Sequence, residues 1–407
     1  MEPQLDRKID ALVTEILPAV KMIRRTIHAN PELSGEEFAT NALVREELAK
    51  LNALQILPPF LQTDTVALLY GQNGKPNRYN VTLRADMDAL PMQEESGVKY
   101  ASKVPGKMHG CGHDGHTACL LGAAMVLSRL TAEFNGSVRF VFQPGEEFDA
   151  LARFLIAKGA LNDPAPDAVY ALHAHSTVPV GTVKTMAGTL MSGITRFKIT
   201  LTGVSSIRSE PEKAIDTIAA TAELICRMNT LIGSKVSPLD SAILDFAEVQ
   251  AFNPVGDTPG QSVVTGSIRY LKNSTGETLC RATESLAKGL EVATGVKCRC
   301  EFDEVYRTSS NAAPCVELLR RITVAKYGEA MFQYMPQPSM GSEDFCYFLE
   351  KAPGAFFNLG GGVDQPYCHN PKFDFNDDSL VYGITLLTHL ALETLRELDA
   401  GKNLRNR

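Results

Sequence analysis

Between residues 190 and 305 the chain changes rhythm, and no other feature limits its possible folds as tightly. "TRFKITLTG", the helix "EKAIDTIAATAELICRMNTLI", "SAILDFAEVQAF", "SVVTGSIRYL", the helix "TGETLCRATESLAKGLEVATG" and "VKCRCEF" spell β-α-β-β-α-β, a complete split-βαβ unit. On both sides helix and strand patterns alternate instead. At 407 residues the chain is too long for one ordinary core. The expected organisation is therefore one α/β domain formed by residues 1–189 and 306–407, interrupted by a smaller ferredoxin-like domain at 190–305.

The alternation outside the insertion predicts a mostly parallel, helix-covered sheet. "TVALLYG" and "NVTLRADMDALP" read as strands, the second ending in a loop with Asp86 and Asp88. "HTACLLGAAMVLSRL" suits a buried helix, and "GSVRFVFQPGEE" a strand running into a loop. A helix "DALARFLIAKGAL" and a strand "DAVYALHAHS" follow, and after the insertion come "APCVELLRRITVAKYG", "GAFFNLGG" and a helix near 377–398. In such a sheet the polar motifs fall at the C-terminal ends of strands, where α/β proteins build their sites.

The first twenty residues alternate charged and apolar positions at helical spacing, which predicts an amphipathic helix and not a signal peptide. "MIRRTIHANPELSGEEFATNALVREELAKL" predicts a second helical region, broken at Pro31 and restarted after Ser34, with Ser34-x-x-Glu37 resembling a capping box. No run reaches the roughly 18 apolar residues of a membrane span. A net charge of −7 without a basic arm disfavours nucleic acid as a partner. Nine scattered cysteines, an odd number, suit reduced thiols in a cytoplasm better than a disulfide framework. Cys298 and Cys300, on one face of a predicted strand, read as structural.

The histidines are not scattered. Five of eight fall in two groups, 109/113/116 and 173/175, and a sixth, His369, lies in "PYCHNPKFDFN". "KMHGCGHDGHTA" adds Cys111 and Asp114 among glycines that let the backbone fold tightly around an ion. Carboxylates gather at Asp86 and Asp88, Glu146 and Glu147, and Glu343 and Asp344. Two cooperating divalent ions need a bridging donor, terminal ligands and a base for an attacking water, and this pool can supply all three. Adjacent glutamates in a loop point apart, so Glu147 can bind metal while Glu146 takes a proton. Asp86 is expected to stand behind a ligand histidine and orient its ring. His28 and His389 read as ordinary histidines away from the clusters.

Together "RADMDALPMQEESGVKYASKVPGKMHGCGHDGHT", "FQPGEE", "ALHAHSTVPVGTV", "MGSEDFCYFL" and "HNPKFDFND" closely resemble the dimetal amidohydrolases that include hippurate hydrolases, indoleacetyl-amino-acid hydrolases and N-acyl-amino-acid deacylases. The resemblance runs in order from about residue 25 to 185 and from 335 to 385. It implies a zinc-peptidase-like catalytic domain and an inserted lid that often dimerises, hence a homo-oligomer. It also implies Cys111, His113, Glu147, His173 and His369 as ligands of two ions, with Glu146 as general base. Manganese or zinc suits the mixed donors, and cobalt or nickel is compatible. The implied substrate is a small carboxylate-bearing N-acyl or N-aroyl amino acid.

One stretch departs from that pattern. Where the family carries a lid histidine thought to steady the developing oxyanion, "GVSSIRSEPEKAID" has Ile207, with Glu212 at the position of a second histidine. An oxyanion donor is typically worth roughly 3 kcal/mol, which an apolar side chain cannot supply. Arg208 is the candidate to replace it or to hold a carboxylate or nitro group. The family's Asn-Val-Ile-Pro segment is altered as well, to "PVGDTPG". Two alternatives follow. The family type includes an aminohydrolase that removes the amino group of 5-nitroanthranilate, and a similar deamination of an aromatic amine would need no amide oxyanion donor. A metal-containing binding protein without turnover is the other, and retention of Glu146 beside Glu147 argues against it.

Overall fold

A computed structural model describes residues 3–72 and 78–404 of the chain. They form two compact units, the first drawn from the described residues within 1–188, 310–337 and 344–407, the second of residues 189–309 and 338–343. The second unit thus takes in a segment that the sequence assigns to the outer domain. Ser192 Oγ and the Arg269 guanidinium both donate to the Met340 carbonyl, at 2.8 and 3.0 Å, so 338–343 is bonded to the insertion. The "MGSEDF" motif is divided as a result, with Glu343 in the second unit and Asp344 in the first.

The first unit is built on an eight-stranded sheet in the order 54–56, 65–70, 137–143, 80–86, 168–175, 354–360, 183–185, 332–334. The four strands from 137–143 to 354–360 are parallel to one another. Antiparallel pairings flank them on both sides, which makes the sheet mixed. Strands Asn80–Asp86 and Ser137–Gln143 are buried at every residue, as a sheet covered on both faces requires. Because the central strands run the same way, Asp86, Gln143 and His175 end on one edge.

The first helix is longer than its sequence suggests. Pro3–Ala29 is continuous, because Leu5, Ile9, Val13, Ile16, Val20, Ile23 and Ile27 keep one buried stripe across the expected break between two helices. The next helix, Phe38–Ala49, is not capped by Ser34, whose hydroxyl donates to Asp88 at 2.6 Å instead. His113–Leu127 is buried on all sides and shares one core with the sheet, the first helix and the C-terminal helix Leu380–Asp399. The helix expected over 149–161 is reduced to Ala152–Ala157.

The second unit has a four-stranded antiparallel sheet in the order 297–306, 193–202, 261–270, 242–250. In chain order that is 4-1-3-2, the ferredoxin-like arrangement, with helices Thr217–Asn229 and Asn273–Thr294 packed on alternate residues such as Phe197, Ile199 and Leu201. Cys298 and Cys300 pack against this core as apolar side chains. The two stretches that depart from the family pattern touch each other. The Ser206 amide donates to Thr258 Oγ1 at 2.8 Å and the Thr258 amide returns a bond to the Ser206 carbonyl at 3.1 Å.

Candidate metal centre

Each donor at the sheet edge has a local cause. After Cys111 the chain turns at Gly112, whose φ of +88° and whose approach to Ala174, 2.9 Å from a would-be Cβ, leave no room for a side chain. The turn starts the buried helix at His113 itself, so the imidazole is fixed on rigid structure. Gly145, at φ +62°, makes the bend before Glu146 and Glu147, and its amide is gripped by the buried Glu37 carboxylate at 2.9 Å. His369 adopts φ +65°, a conformation rare outside glycine, with its own amide bonded to the Gly110 carbonyl at 2.8 Å.

These devices collect three overlapping groups whose donor atoms lie within 4.8 Å of one another: Cys111, His113 and His173; Cys111, Glu147 and His369; and His113, Glu146 and Glu147; a further group of the same kind, Asp86, His113 and His116, shares His113. Cys111, His113 and Glu147 each belong to two of the first three, so the groups share donors and form one cluster. His113 Nδ1 donates to Asp88 at 3.1 Å, which leaves Nε2 buried without a hydrogen-bond partner and 3.8 Å from Glu147 Oε1. His173 Nδ1 donates to the Ala174 carbonyl at 2.7 Å, turning Nε2 toward the Cys111 sulfur at 3.3 Å. His369 Nε2 stands 3.2 Å from Glu147 Oε1. Buried, unpartnered nitrogen and oxygen atoms aimed at one another fit divalent metal ions, which would satisfy them together.

The electrostatics agree with that donor set. Burial opposes charge on His113, but Asp86, Asp88 and Glu147 raise its pKa well above the ordinary histidine value. Donation to Cys368, burial and the Glu147 carboxylate hold the Cys111 thiol well above its ordinary range. A metal ion entering this site must therefore release protons.

Asp86 does not do what the sequence suggests. It accepts from His116 Nδ1 at 2.6 Å and from Arg84 at 2.7 Å, and it approaches His113 only at 3.8 Å. The residue hydrogen-bonded to His113 is Asp88, which also accepts from Ser34 and from the Glu147 amide at 3.0 Å. His116 is spent structurally, since its Nε2 accepts from the Ala174 amide at 2.7 Å beside His173. Burial lowers its pKa to about 4 and keeps it neutral for this. Asp344 accepts from Arg84, Gln143 and the Ala152 amide. His109 is buried, with its pKa lowered to about 4 by burial, and is outside all three groups. Arg208 and Ile207 are exposed side chains of the second unit.

His28 is nearer the centre than its sequence position implies. Its Nδ1 lies 2.8 Å from Asp114, the residue after His113, and its Nε2 3.2 Å from Glu94. One helical turn earlier the fully buried Arg24 pairs with Asp114 at 2.8 Å and with Asp374, five residues past His369. One helix face therefore ties the His113 loop to the His369 loop. The sequence signal was available, since Arg24 and His28 adjoin the buried Ile23 and Ile27. His389 stays apart, 3.2 Å from Asp6.

A parallel sheet edge that gathers a thiol, imidazoles and paired carboxylates around unpartnered donor atoms defines a metal-dependent hydrolase. The model of peptidase family M20/M25/M40 matches residues 82–393, and the chain belongs to that family. It is 32% identical over 381 residues to an N-acetylcysteine deacetylase of Bacillus subtilis, covering 92% of this chain and 97% of that protein. It is also 32% identical over 393 residues to IAA-amino acid hydrolase ILR1-like 2 of Arabidopsis thaliana, covering 94% and 87%. The crystal structure of the YXEP protein of Bacillus subtilis, described as a dinuclear metal binding peptidase from the M20 family, superposes with a TM-score of 0.81 at 29% identity, covering 94% of this chain and 99% of that one. The chain is a hydrolase acting on C–N bonds. Among the described residues no helix is long and apolar enough to cross a membrane.

Proposed function

We propose that the chain hydrolyses the amide bond of a small N-acyl or N-aroyl amino acid, using two divalent ions held by Cys111, His113, Glu147, His173 and His369. The observation that carries the reading is the adjacency of Glu146 to Glu147 at the buried end of strand 137–143, within 4.8 Å of the His113 donor atom. A binding-only site needs the ligand but not the second carboxylate. The ions would supply a water acidic enough to ionise near neutral pH and a polarised substrate carbonyl. Glu146 takes that water's proton and returns it to the leaving nitrogen, so one carboxylate serves as base and then as acid. Asp88 holds His113 in one tautomer with Nε2 free for metal. Relatives named for N-acetylcysteine and indoleacetyl-amino-acid hydrolysis support the substrate class.

The paired departures at 203–210 and 253–260 favour a second reading, hydrolytic deamination of an aromatic amine such as 5-nitroanthranilate. In that reaction the charge spreads over ring and nitro group, and Arg208 would offset it without an amide oxyanion donor. The test is turnover by manganese- or zinc-loaded protein on N-acyl and N-aroyl amino acids beside amino-nitro-benzoates, read by mass spectrometry, with Glu146→Gln as control. An acid plus an amino acid supports the first reading and ammonia the second; release undiminished in Glu146→Gln removes Glu146 from the mechanism. The exposed edge strand Ala242–Gln250, with Phe252 83% exposed beyond it, supports self-association through the second unit.

A further inference from the structure

Cys368, immediately before His369, has no part in the proposed chemistry and belongs to none of the three donor groups. Its surroundings are nevertheless specific. The His369 amide bonds to the Gly110 carbonyl at 2.8 Å, so the α-carbons of Cys368 and Cys111 flank a single backbone hydrogen bond between two chain segments. The Cys368 sulfur lies 3.9 Å from the Cys111 carbonyl oxygen and 3.8 Å from that of Ala174, so the Cys368 side chain packs against the Cys111 backbone. Cys368 is partly exposed, while Cys111 is 7% exposed behind it. The partly exposed Cys368 sulfur is reachable by a small oxidant and lies beside the backbone of the residue that carries the second thiol. The backbone bond ties the two cysteine-bearing segments together, and a disulfide requires α-carbons roughly 4.4–6.8 Å apart.

We propose that Cys111 and Cys368 are a peroxide-sensitive thiol pair, which closes to a disulfide when the centre is metal-free and is kept open by bound metal. The Cys368 sulfur attacks one oxygen of hydrogen peroxide, the O–O bond breaks, and a sulfenic acid and water result. The Cys111 sulfur then attacks the Cys368 sulfur and displaces the hydroxyl, which leaves as the second water. Two thiols and one peroxide thus give one disulfide and two waters. The disulfide removes Cys111 as a donor, so oxidation bars metal until a thiol reductant restores the pair. The protection by metal rests on the reading of Cys111 as a ligand; the cross-link itself does not.

The full-length protein, stripped with a chelator and treated with hydrogen peroxide, tests this by non-reducing tryptic mass spectrometry. The expected result is a two-hydrogen loss and a peptide of residues 108–129 joined to one of residues 352–372, with fragmentation locating the link on Cys111 and not Cys119. Cys368→Ser abolishes the link and keeps normal zinc uptake. Zinc added before peroxide slows linkage about tenfold or more, and dithiothreitol restores zinc uptake to the oxidised chain. Absence of the linked peptide, or its appearance at the same rate with zinc bound, overturns the proposal. A Cys111→Ser chain that still takes up its full zinc overturns the ligand reading instead, and the thiol pair is then judged on the cross-link alone.

Discussion

At the scale of single residues the centre separates groups that do chemistry from groups that hold them. Glu146→Gln keeps the shape and loses the base, so kcat is expected to fall roughly a hundred- to ten-thousand-fold while metal content, measured by emission spectroscopy, stays unchanged. Asp88→Ala frees the His113 ring and one anchor of the Glu147 backbone. Metal affinity, read by competition with a chromogenic chelator, is expected to drop about ten- to a hundred-fold. Asp86→Ala should behave differently, because it removes one of the two buried carboxylates that pair with Arg84 and the acceptor of the His116 ring. Its main loss is expected in unfolding free energy, about 1–3 kcal/mol, since Asp344 still pairs with Arg84. An Asp86→Ala chain as stable as the parent would show that the buried pair with Arg84 contributes little.

At the scale of elements the first helix acts as a clasp on two loops. His28 faces Asp114, Glu94 and, at 3.9 Å, Asp374, with the Arg24 guanidinium, the Tyr100 ring and the His109 ring around it. Burial works against its charge, yet Asp114 and Glu94 raise its pKa to about 9. Since the folded value lies above the ordinary 6.5, the protonated ring stabilises the fold fully below about pH 6.5 and ceases to do so as pH rises through about 9. The shift corresponds to about 3 kcal/mol. His28→Gln is expected to lose that contribution at low pH and to show a flatter stability profile across the window, measured by urea unfolding at several pH values. Parallel profiles for the two proteins would mean that His28 is neutral in the fold.

At the scale of the whole molecule the second unit presents an open sheet edge at Ala242–Gln250, followed by Phe252 and preceded by Leu239, 96% exposed. If this edge joins two copies, Phe252→Asp is expected to shift the sedimentation coefficient toward that of a 44.2 kDa monomer and to leave metal binding unchanged. A parent chain that already sediments as a monomer removes the proposal.

What the sequence determined by itself are the features that rest on local pattern and spacing. The β-α-β-β-α-β order, the buried helix that begins within "HGCGHDGH" and the delivery of Glu146 and Glu147 by a strand with Val and Phe at alternate and adjoining positions follow from hydrophobic periodicity, which is a property of neighbouring residues. The pool of metal donors was visible for the same reason. Tertiary structure decided which members of that pool converge. His109, His113 and His116 are alike in sequence, but packing gives His116 to Asp86 and Ala174 and leaves His113 Nε2 unpartnered. Asp86 ends a strand and Asp88 lies two residues beyond it, and only the fold sets Asp88 in hydrogen-bond contact with His113. Arg24 and Cys368 reach the centre across more than eighty and two hundred and fifty positions of chain, through ion pairs and one backbone hydrogen bond that no local pattern encodes.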